Sequence, residues 1–572
     1  MPTQLLMSFL ALALLLPAMW RRHQRRLARA SGVAAAPPNR KATLAVVGVS
    51  ALLVLGVMGG GAFASDGDPT GAKTPDPTSQ VVQPAAHATK AVSALTDTVN
   101  HNTTSINMVW LMVGGVLVLF MQAGFALVET GFTRAKNGSH TMMMNLVIFA
   151  LGVVGWFVCG YALMFGSTSA SAIGLTALGN GAHVGDWQFI SHSGFFLAGR
   201  AYDVSVLGFF FFQLVFMDAT ATIPTGAMAE RWKFTSFCVW GLFASAILYP
   251  IYGNWVWGGG WLSQLGVLGP KWGHGAVDFA GSGVVHAMGG VAAFWGARTL
   301  GARIGKFDRD GKPRAIPGHH LPMAFLGTFV LLVGWMGFNG ASTFAGTDLR
   351  MTVVIVNTIL ASAFGCLTTM FIMWKVYGKP DPSMTCNGLL AGLVAITAPC
   401  AFVAPWGAMC IGIVAGGIVV AAVVWMDHKA KVDDPVGAVA VHGANGLWGI
   451  IAVGLFADGK YGDGLNGVPG GVKGLFTGGG VDQLLAQITS AIALVVFCSI
   501  MCYAFFKIMD KTMGMRVKPE EEVAGLDMPL MGALAYPDFL EAQGSVFVPT
   551  DDLIVGTGGN GGAAKLREEV GA

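Results

Sequence analysis

Eleven apolar stretches of about 20 residues constrain the fold of this chain more than any other feature. Each is long enough to cross a bilayer as a helix, and none shows the polar alternation of a barrel strand. Only 11% of the residues are charged, far fewer than in soluble domains. The sequence therefore predicts an all-α polytopic membrane protein with eleven transmembrane helices. Their predicted bounds are 107–130, 141–166, 205–229, 235–256, 278–300, 321–345, 351–375, 385–404, 405–426, 435–457 and 483–508.

The basic residues of the connecting loops sort to one side of this arrangement. The poorer side holds Arg200, Lys271, Arg350, Lys460 and Lys473. The richer side holds Arg134, Lys136, Arg231, Lys233, Arg298, Arg303, Lys306, Arg309, Lys312, Arg314, Lys375, Lys379, Lys429 and Lys431. Because cytoplasmic loops carry the excess of Lys and Arg, the richer side is predicted to be cytoplasmic. We therefore expect a multi-pass protein of the cytoplasmic membrane, with its mature N-terminus outside and its C-terminus inside.

The part of the chain ahead of the first stretch resembles an export signal. An apolar run at 4–20, a basic segment, a second apolar run at 43–58 and a small-residue site ending at Ala64 predict a cleavable signal peptide. Two alternatives stay open: the apolar runs persist as extra helices, or the true start is Met19. The predicted signal peptide, exported linker, membrane domain and cytoplasmic tail span residues 1–64, 65–105, 106–510 and 511–572.

Two of the apolar stretches carry the same motif, in which a histidine follows an aspartate by eight residues. The motif runs from Asp278 to His286 in the fifth stretch and from Asp434 to His442 in the tenth, with glycine at its fourth position and valine before the histidine. The predicted orientation makes these two helices run in opposite directions, and eight residues of helix rise about 12 Å. Each histidine therefore approaches the midplane from its own side. This pattern predicts an inverted 5+5 repeat of spans 1–5 and 6–10, with span 11 peripheral.

An imidazole inside a membrane is costly, and a repeated one indicates a functional pathway. Neutral histidine offers one hydrogen-bond donor and one acceptor, which suits a small polar substrate. The alternative is a pair of histidines that bond backbone carbonyls and hold helices together. No cysteine or carboxylate accompanies them at metal-ligand spacing, and no nucleophile or phosphate-binding motif is present. The sequence thus predicts neither an enzyme nor a metal or cofactor site.

Aromatic residues and acids near the predicted outer ends are further candidates. Trp257 closes the fourth stretch and Phe216 lies in the third, and ring faces of this kind attract cations, although most such residues form interfacial belts. Asp278 either caps its helix or attracts a cation. Asp218 and Glu129 are two more acids within the apolar stretches. Asp218 is two residues from Phe216, so a role in a pore is open for it, and a hydrogen bond between helices is equally open for both acids.

Over roughly residues 105–536 the chain resembles the ammonium transporter (Amt/Rh) family, in its bacterial Amt branch. The segments that carry the resemblance are Arg134-Ala-Lys-Asn137, Gly226-Ala-Met-Ala-Glu-Arg231, Trp257-Gly-Gly-Gly260, Asp278 to His286, Gly334-Trp-Met-Gly-Phe-Asn339, and Val432-Asp-Asp-Pro435 with Val441-His-Gly443. The resemblance implies a homotrimer of eleven-helix subunits, each with its own pore. It implies an inward ammonium transporter that also accepts methylammonium, with no cofactor and no nucleic-acid partner.

The resemblance also implies roles for individual residues. Those that look like the ammonium recruitment site are Trp257, Phe216, Ser342 and the supporting acid Asp278. Phe216 and Phe338 look like a stacked phenyl gate, and His286 and His442 look like the twin histidines of the pore. Two other functions are consistent with the same fold: an ammonium sensor, and a Rhesus-like channel for neutral gas. The aromatic recruitment set favours a transporter over the gas channel.

The C-terminal tail departs from the pattern of many bacterial members. It keeps Gly525-Leu526-Asp527 and Ala535-Tyr536, but Met531-Gly532-Ala533-Leu534 stands where those members have His-Gly-Glu. Trimeric nitrogen-signalling proteins dock on this cytoplasmic face in the family. The missing His and Glu argue against such a regulator as a partner of this chain.

Overall fold

The computed structural model describes residues 89–184, 187–468 and 470–537. The helices in these residues are α1 Thr89–Phe132, α2 Gly138–Gly155, α3 Tyr161–Phe165, α4 Val204–Met228, α5 Phe234–Phe243, α6 Tyr249–Val256, α7 Met288–Leu300, α8 Leu321–Gly340, α9 Met351–Tyr377, α10 Pro382–Ile396, α11 Pro405–Trp425, α12 Asn445–Phe456, α13 Asp482–Thr512 and α14 Pro519–Ala524. Two short antiparallel strands, β1 Gly181–Val184 and β2 Trp187–Ser191, form a hairpin that the sequence did not predict.

The predicted all-α membrane architecture is confirmed. In the described part of the chain, nine helical stretches are long and apolar enough to cross a membrane, and α10 is a shorter apolar helix. The fifth predicted span corresponds to α7 with the π-helical turn Ser282–Ala287 before it. The count of eleven crossings stays a prediction. The signal-peptide prediction lies outside the described residues.

Several helices contain a π-helical turn, a feature that often marks functional sites. These turns are Trp156–Gly160 between α2 and α3, Ala244–Leu248 between α5 and α6, Ser282–Ala287 before α7, Met426–Ala430 after α11, and Val439–Ala444 before α12. The turns before α7 and α12 contain His286 and His442. The repeated motif therefore produces the same local irregularity twice.

Two helix ends differ from the sequence prediction. Helix α1 begins at Thr89, within the predicted linker, because lengthening an existing helix is much easier than starting one. Helix α10 ends at Ile396 rather than near 404, because Pro399 cannot continue it. The carbonyls of Thr397 and Ala398 instead accept hydrogen bonds from the backbone N–H groups of Ala280 and Phe279, each at 3.1 Å. Backbone N–H groups at the start of the fifth span thus bond the free carbonyls beyond the end of α10, where water is not available to do so.

Glycines let the central helices pack closely. A methyl group added at Gly365 on α9 would meet the backbone of Gly388 and Gly392 on α10, and one added at Gly412 on α11 would meet Ala361. Membrane helices associate through such small residues. Helix α13 packs on α7 and α12 and exposes large apolar side chains on its other face, among them Ile492, Val496 and Ile500. That exposure agrees with a peripheral position facing lipid or another subunit.

The described part of the tail, up to residue 537, packs on the face predicted to be cytoplasmic. Asp527 accepts a hydrogen bond from the backbone of His140 at 2.9 Å, and Leu526 donates to the side chain of Asn137 at 2.9 Å. The Tyr536 hydroxyl lies 3.0 Å from Nε2 of His319, which precedes α8. Hydrogen bonds therefore hold the tail, up to Tyr536, against the start of α2 and the loop before α8.

A buried charge network lies on the same face. The Arg303 guanidinium contacts Glu230 at 3.1 Å and Asp433 at 2.8 Å, and Arg134 Nε donates to Glu230 at 2.6 Å. Burial alone would raise the pKa of the Asp433 carboxyl, but Arg231 and Arg303 outweigh it and hold that pKa well below its usual range. Buried charges depend on their partners, so the network joins four connections between helices.

Replacing Arg303 by methionine should destabilise the protein by about 3–5 kcal/mol, because it leaves Glu230 and Asp433 buried without their shared cation. Thermal unfolding in detergent measures the loss. Lys312→Met is the matched control, since Lys312 lies 4.0 Å from Asp310 in an exposed pair and should change little. An equal melting temperature for the Arg303 variant and the wild type would contradict the prediction.

The depressed pKa of Asp433 also predicts a pH dependence. Its ionised form contributes stability above the unfolded pKa of about 3.9, and that contribution is lost as pH falls towards the lower folded value. Asp433→Asn should therefore be clearly less stable than the wild type at neutral pH, and the difference should shrink in acid. Unfolding midpoints across this pH range test the prediction, and a gap that widens in acid would refute it.

Candidate functional site

The two Asp–His motifs fold in the same way. Gly281 and Gly437, the glycines at the fourth position, have φ values of 111° and 80°, a region that side chains disfavour. The Asp278 carboxylate accepts 2.9 Å hydrogen bonds from the backbone N–H groups that follow it, at Gly281, Gly283 and Val284. The Asp434 carboxylate does the same at Gly437, Ala438 and Val439, over 2.8–3.1 Å. Both aspartates therefore cap their helices, one of the two roles open for Asp278.

The two motif segments cross each other in antiparallel fashion. The contacts of their glycines show which residues lie opposite each other. A methyl group added at Gly449 would meet Ser282, and one added at Gly446 would meet Ala287. Further along, Gly290 lies against Gly443. Residue numbers therefore increase along one segment as they decrease along the other. This is the relation that an inverted repeat requires, and it brings the two histidines together.

His286 and His442 form a direct pair. Their Nδ1 atoms lie 3.2 Å apart, and their rings stack with centroids 5.2 Å apart at an angle of 26°. One neutral ring must donate through Nδ1–H while the other accepts, so the two tautomers are linked. His286 is fully buried, and its Nε2 has no hydrogen-bond partner within the described part of the chain. A buried polar atom left unpaired in this way is an open position for a ligand.

A column of aromatic rings continues from the histidine pair towards the predicted outer side. The His286 ring stacks on Phe338 at 5.4 Å, and Phe338 stacks on Phe216 with centroids 4.0 Å apart at 27°. The Trp257 ring meets Phe216 edge-on at 6.1 Å. Trp335 also stacks on His286 at 5.0 Å, and its ring lies 5.7 Å from that of Phe338. The structure thus brings five of the predicted site residues into one continuous series of contacts.

Asp278 and Ser342 lie beside this column. The Trp257 indole N–H donates to the backbone carbonyl of Asp278 at 2.6 Å, so the capped turn also fixes the orientation of the indole. The Ser342 hydroxyl, which is 5% exposed, donates to the carbonyl of Phe338 at 2.8 Å. Since the hydroxyl hydrogen is used there, the oxygen of Ser342 is left to act as an acceptor.

On its other side the histidine pair borders a small cavity. The Phe125 ring packs on His442 at 5.9 Å, and both line a space of about 20 Å³ together with Glu129 and Asn387. The remaining lining is aliphatic. A space of this size holds about one water-sized molecule. Phe125 was not predicted from the sequence, because a phenylalanine in an apolar helix gives no signal of what it faces.

The two remaining acids occupy different environments. Glu129 accepts a hydrogen bond between helices, the alternative left open for both acids, from Asn145 on α2 at 2.7 Å. Asp218 is 2% exposed, and its Oδ1 has no hydrogen-bond partner among the described residues. It lies against Gly152 on α2, and its position two residues after Phe216 turns it by roughly 200° around the helix. Asp218 therefore faces away from the ring column, which argues against a role in the pore.

Comparisons with known proteins agree with this geometry. The profile of the Ammonium Transporter Family matches residues 109–536. Ammonium transporter Amt2 of Archaeoglobus fulgidus is 48% identical over 442 residues, which cover 76% of this chain and 89% of that protein. Ammonium transporter 1 member 3 of Solanum lycopersicum is 35% identical over 467 residues, covering 78% of this chain and 96% of its own length.

Solved structures show the same fold. One named "Sensor Amt Protein" has a TM-score of 0.65 at 33% identity, and it covers 75% of this chain and 99% of its own. Mep2 of Candida albicans has a TM-score of 0.62 at 29% identity, covering 73% and 87%. The family profile spans well over half of the chain, and it includes the histidine pair, the ring column and both capping aspartates. The chain therefore belongs to the Ammonium Transporter Family.

Proposed function

We propose that this protein transports ammonium inward across the cytoplasmic membrane. The observation that carries the proposal is the buried pair of His286 and His442, with one free ring nitrogen, at the end of the column through Phe338, Phe216 and Trp257. The names of the curated relatives agree with this substrate. As in the family resemblance, the assembly is a homotrimer with the mature N-terminus outside and the C-terminus in the cytoplasm.

Recruitment takes place at the outer end of the column. The faces of Trp257 and Phe216 attract a cation, each by about 0.5–2 kcal/mol depending on desolvation. The oxygen of Ser342 accepts a hydrogen bond that ammonium, with its N–H groups, can donate. Asp278 supports this site by holding the Trp257 indole through its backbone carbonyl. Phe216 and Phe338, stacked at 4.0 Å, then close the path as a gate.

Deprotonation takes place at the gate. Beyond it the path is bounded by buried rings and aliphatic side chains, where an unpaired cation costs many kcal/mol. Ammonium avoids that cost by passing a proton to the unpaired Nε2 of His286, and neutral ammonia continues along His286 and His442. Neutral imidazoles can donate to ammonia or accept from it, and their shared Nδ1 contact links the two rings. Potassium has no proton to lose, so it is excluded.

A sensor is the second candidate, because a solved relative at 33% identity is named "Sensor Amt Protein". A sensor would bind ammonium at the same outer site without moving it through the gate. The two functions differ in one measurable quantity, which is the net movement of substrate.

Uptake of labelled methylammonium tests the proposal. Cells that lack other ammonium transporters should accumulate the label when they express this protein, with rates that saturate at low substrate concentration. Excess ammonium should compete, since both cations use the same ring faces. Absence of uptake in cells whose membranes contain the folded protein, with ammonium binding retained, would reject transport in favour of the sensor.

A further inference from the structure

The cavity below the histidine pair contains an acid that the transport path as described does not use. Glu129 lies on α1, one turn before the end of that helix at Phe132, and is 2% exposed. It lines the same space of about 20 Å³ as His442. Among the ion pairs of the described residues none includes Glu129, so no lysine or arginine neutralises it. A buried carboxylate of this kind must take up a proton or a mobile cation.

The hydrogen bonds around Glu129 show where its proton lies. Oγ1 of Thr225 is 2.5 Å from the carbonyl oxygen of Thr222, and 2.7 and 2.8 Å from the two oxygens of Glu129. One hydroxyl hydrogen cannot serve three acceptors. If Thr225 donates its hydroxyl hydrogen to the carbonyl of Thr222, it has none left for Glu129. The short contact between the two side chains then requires that the Glu129 carboxyl is protonated and donates to the Thr225 oxygen. The contacts therefore fit the protonated acid.

The second oxygen of Glu129 has a fixed donor. The side-chain oxygen of Asn145 lies 3.2 Å from both the amide nitrogen of Gln122 and the hydroxyl of Thr222, which orients its Nδ2 towards Glu129 Oε2 at 2.7 Å. Oε2 is thus the carbonyl oxygen of the acid and Oε1 carries the hydrogen. The carboxyl is held in one orientation by neutral partners on α2 and α4.

We propose that this cavity is an inner proton-exchange site, in which Glu129 returns a proton to ammonia arriving from His442. In the transfer, the O–H bond of the carboxyl breaks and a fourth N–H bond forms, which gives carboxylate and ammonium. The ammonium leaves to the cytoplasm, and the carboxylate regains the proton that passes along the histidine pair, so one positive charge crosses with each ammonia. Because every step is reversible, the ammonium gradient and the membrane potential set the direction of net transport. This inference rests on the proposed transport function.

Glu129→Gln is a sharp test, because glutamine has the shape and hydrogen-bond pattern of the protonated acid. Its Oε1 can accept from Asn145 and its Nε2 can donate to Thr225, so the fold should be kept while the transferable proton is lost. We expect initial ammonium uptake into liposomes to fall by at least about tenfold, since positioned proton-transfer groups contribute 10²–10⁴. Glu129→Asp, which keeps a carboxyl, should recover part of the rate.

Asp218→Asn is the matched control. It removes another buried acid from the membrane domain, but Asp218 faces Gly152 and lies off the path. Its uptake should stay within about twofold of the wild type, because groups off the path do not take part in the transfer.

Infrared difference spectra give a readout that a purely structural role would not change. Adding ammonium to the purified protein at alkaline pH should remove a protonated-carboxyl band from the wild type and from Asp218→Asn, but not from Glu129→Gln. Wild-type uptake by a folded Glu129→Gln trimer would overturn the inference, and so would a band that is lost equally in that variant. A wild type without any uptake would instead refute the proposed function and this inference with it.

Discussion

Replacing His286 by alanine should abolish ammonium-selective conduction. The imidazole contacts Phe338, Trp335 and His442, and its Nε2 is a buried ring nitrogen without a hydrogen-bond partner among the described residues. Its removal leaves a void that water can enter next to His442, and hydrated cations then no longer meet an apolar barrier. We expect the ratio of ammonium to potassium conductance to fall by about 10²-fold, the lower end of what a positioned proton-transfer group contributes.

Currents from liposomes exposed separately to ammonium and to potassium measure this ratio. His183→Ala is the control, because His183 is exposed on β1 and far in sequence from the motif. Size-exclusion chromatography should show the same assembly for both variants and the wild type. If the His286 variant kept wild-type selectivity, the assignment of the histidine pair to the pore would be wrong.

Replacing Phe216 by alanine should weaken both recruitment and the gate. This ring stacks on Phe338 at 4.0 Å and contacts Trp257 at 6.1 Å, so its loss opens the column and removes one cation-binding face. A cation–π contribution of about 0.5–2 kcal/mol corresponds to roughly two- to thirtyfold in affinity. The half-saturating ammonium concentration should rise by that factor, and preference over potassium at the entrance should decrease.

Concentration series of ammonium-evoked uptake, with and without competing potassium, measure this effect. Phe329→Ala provides a matched control, because Phe329 lies on α8 like Phe338 but is 59% exposed on the outside of the bundle. An unchanged half-saturating concentration in the Phe216 variant, with the control also unchanged, would remove Phe216 from the recruitment site.

Features that depend on the local sequence were predictable. The apolar runs located the membrane helices because a bilayer demands a fixed length of apolar helix. The Asp–His repeat predicted two equivalent segments, and the shared glycines at 281 and 437 have the positive φ that the capped turns require. The family resemblance identified the ring column, and the stacking of Phe216 on Phe338 and the contact of His286 with His442 agree with it.

Features that depend on contacts between distant residues were not predictable. The end of α10 depends on Pro399 and also on the carbonyl bonds to Phe279 and Ala280, more than a hundred residues earlier. A hydrogen bond between helices was left open for Glu129, but its cavity with His442 arises only when α1, α4, α8, α10 and the segment before α12 meet. Asp218 is close to Phe216 in sequence, yet its helical position turns it away.

The most direct test of the account is the ammonium-evoked current of the purified protein in liposomes on a solid-supported membrane, measured beside His442→Ala. His442 is the ring that joins His286 to the inner cavity, so the account predicts a saturating current in the wild type that is lost in the variant. An equal current in the two proteins would contradict it, because ammonium would then cross without the paired histidines. A wild type that gave no current, with ammonia-driven alkalinisation of the liposome interior, would instead show an uncoupled gas channel.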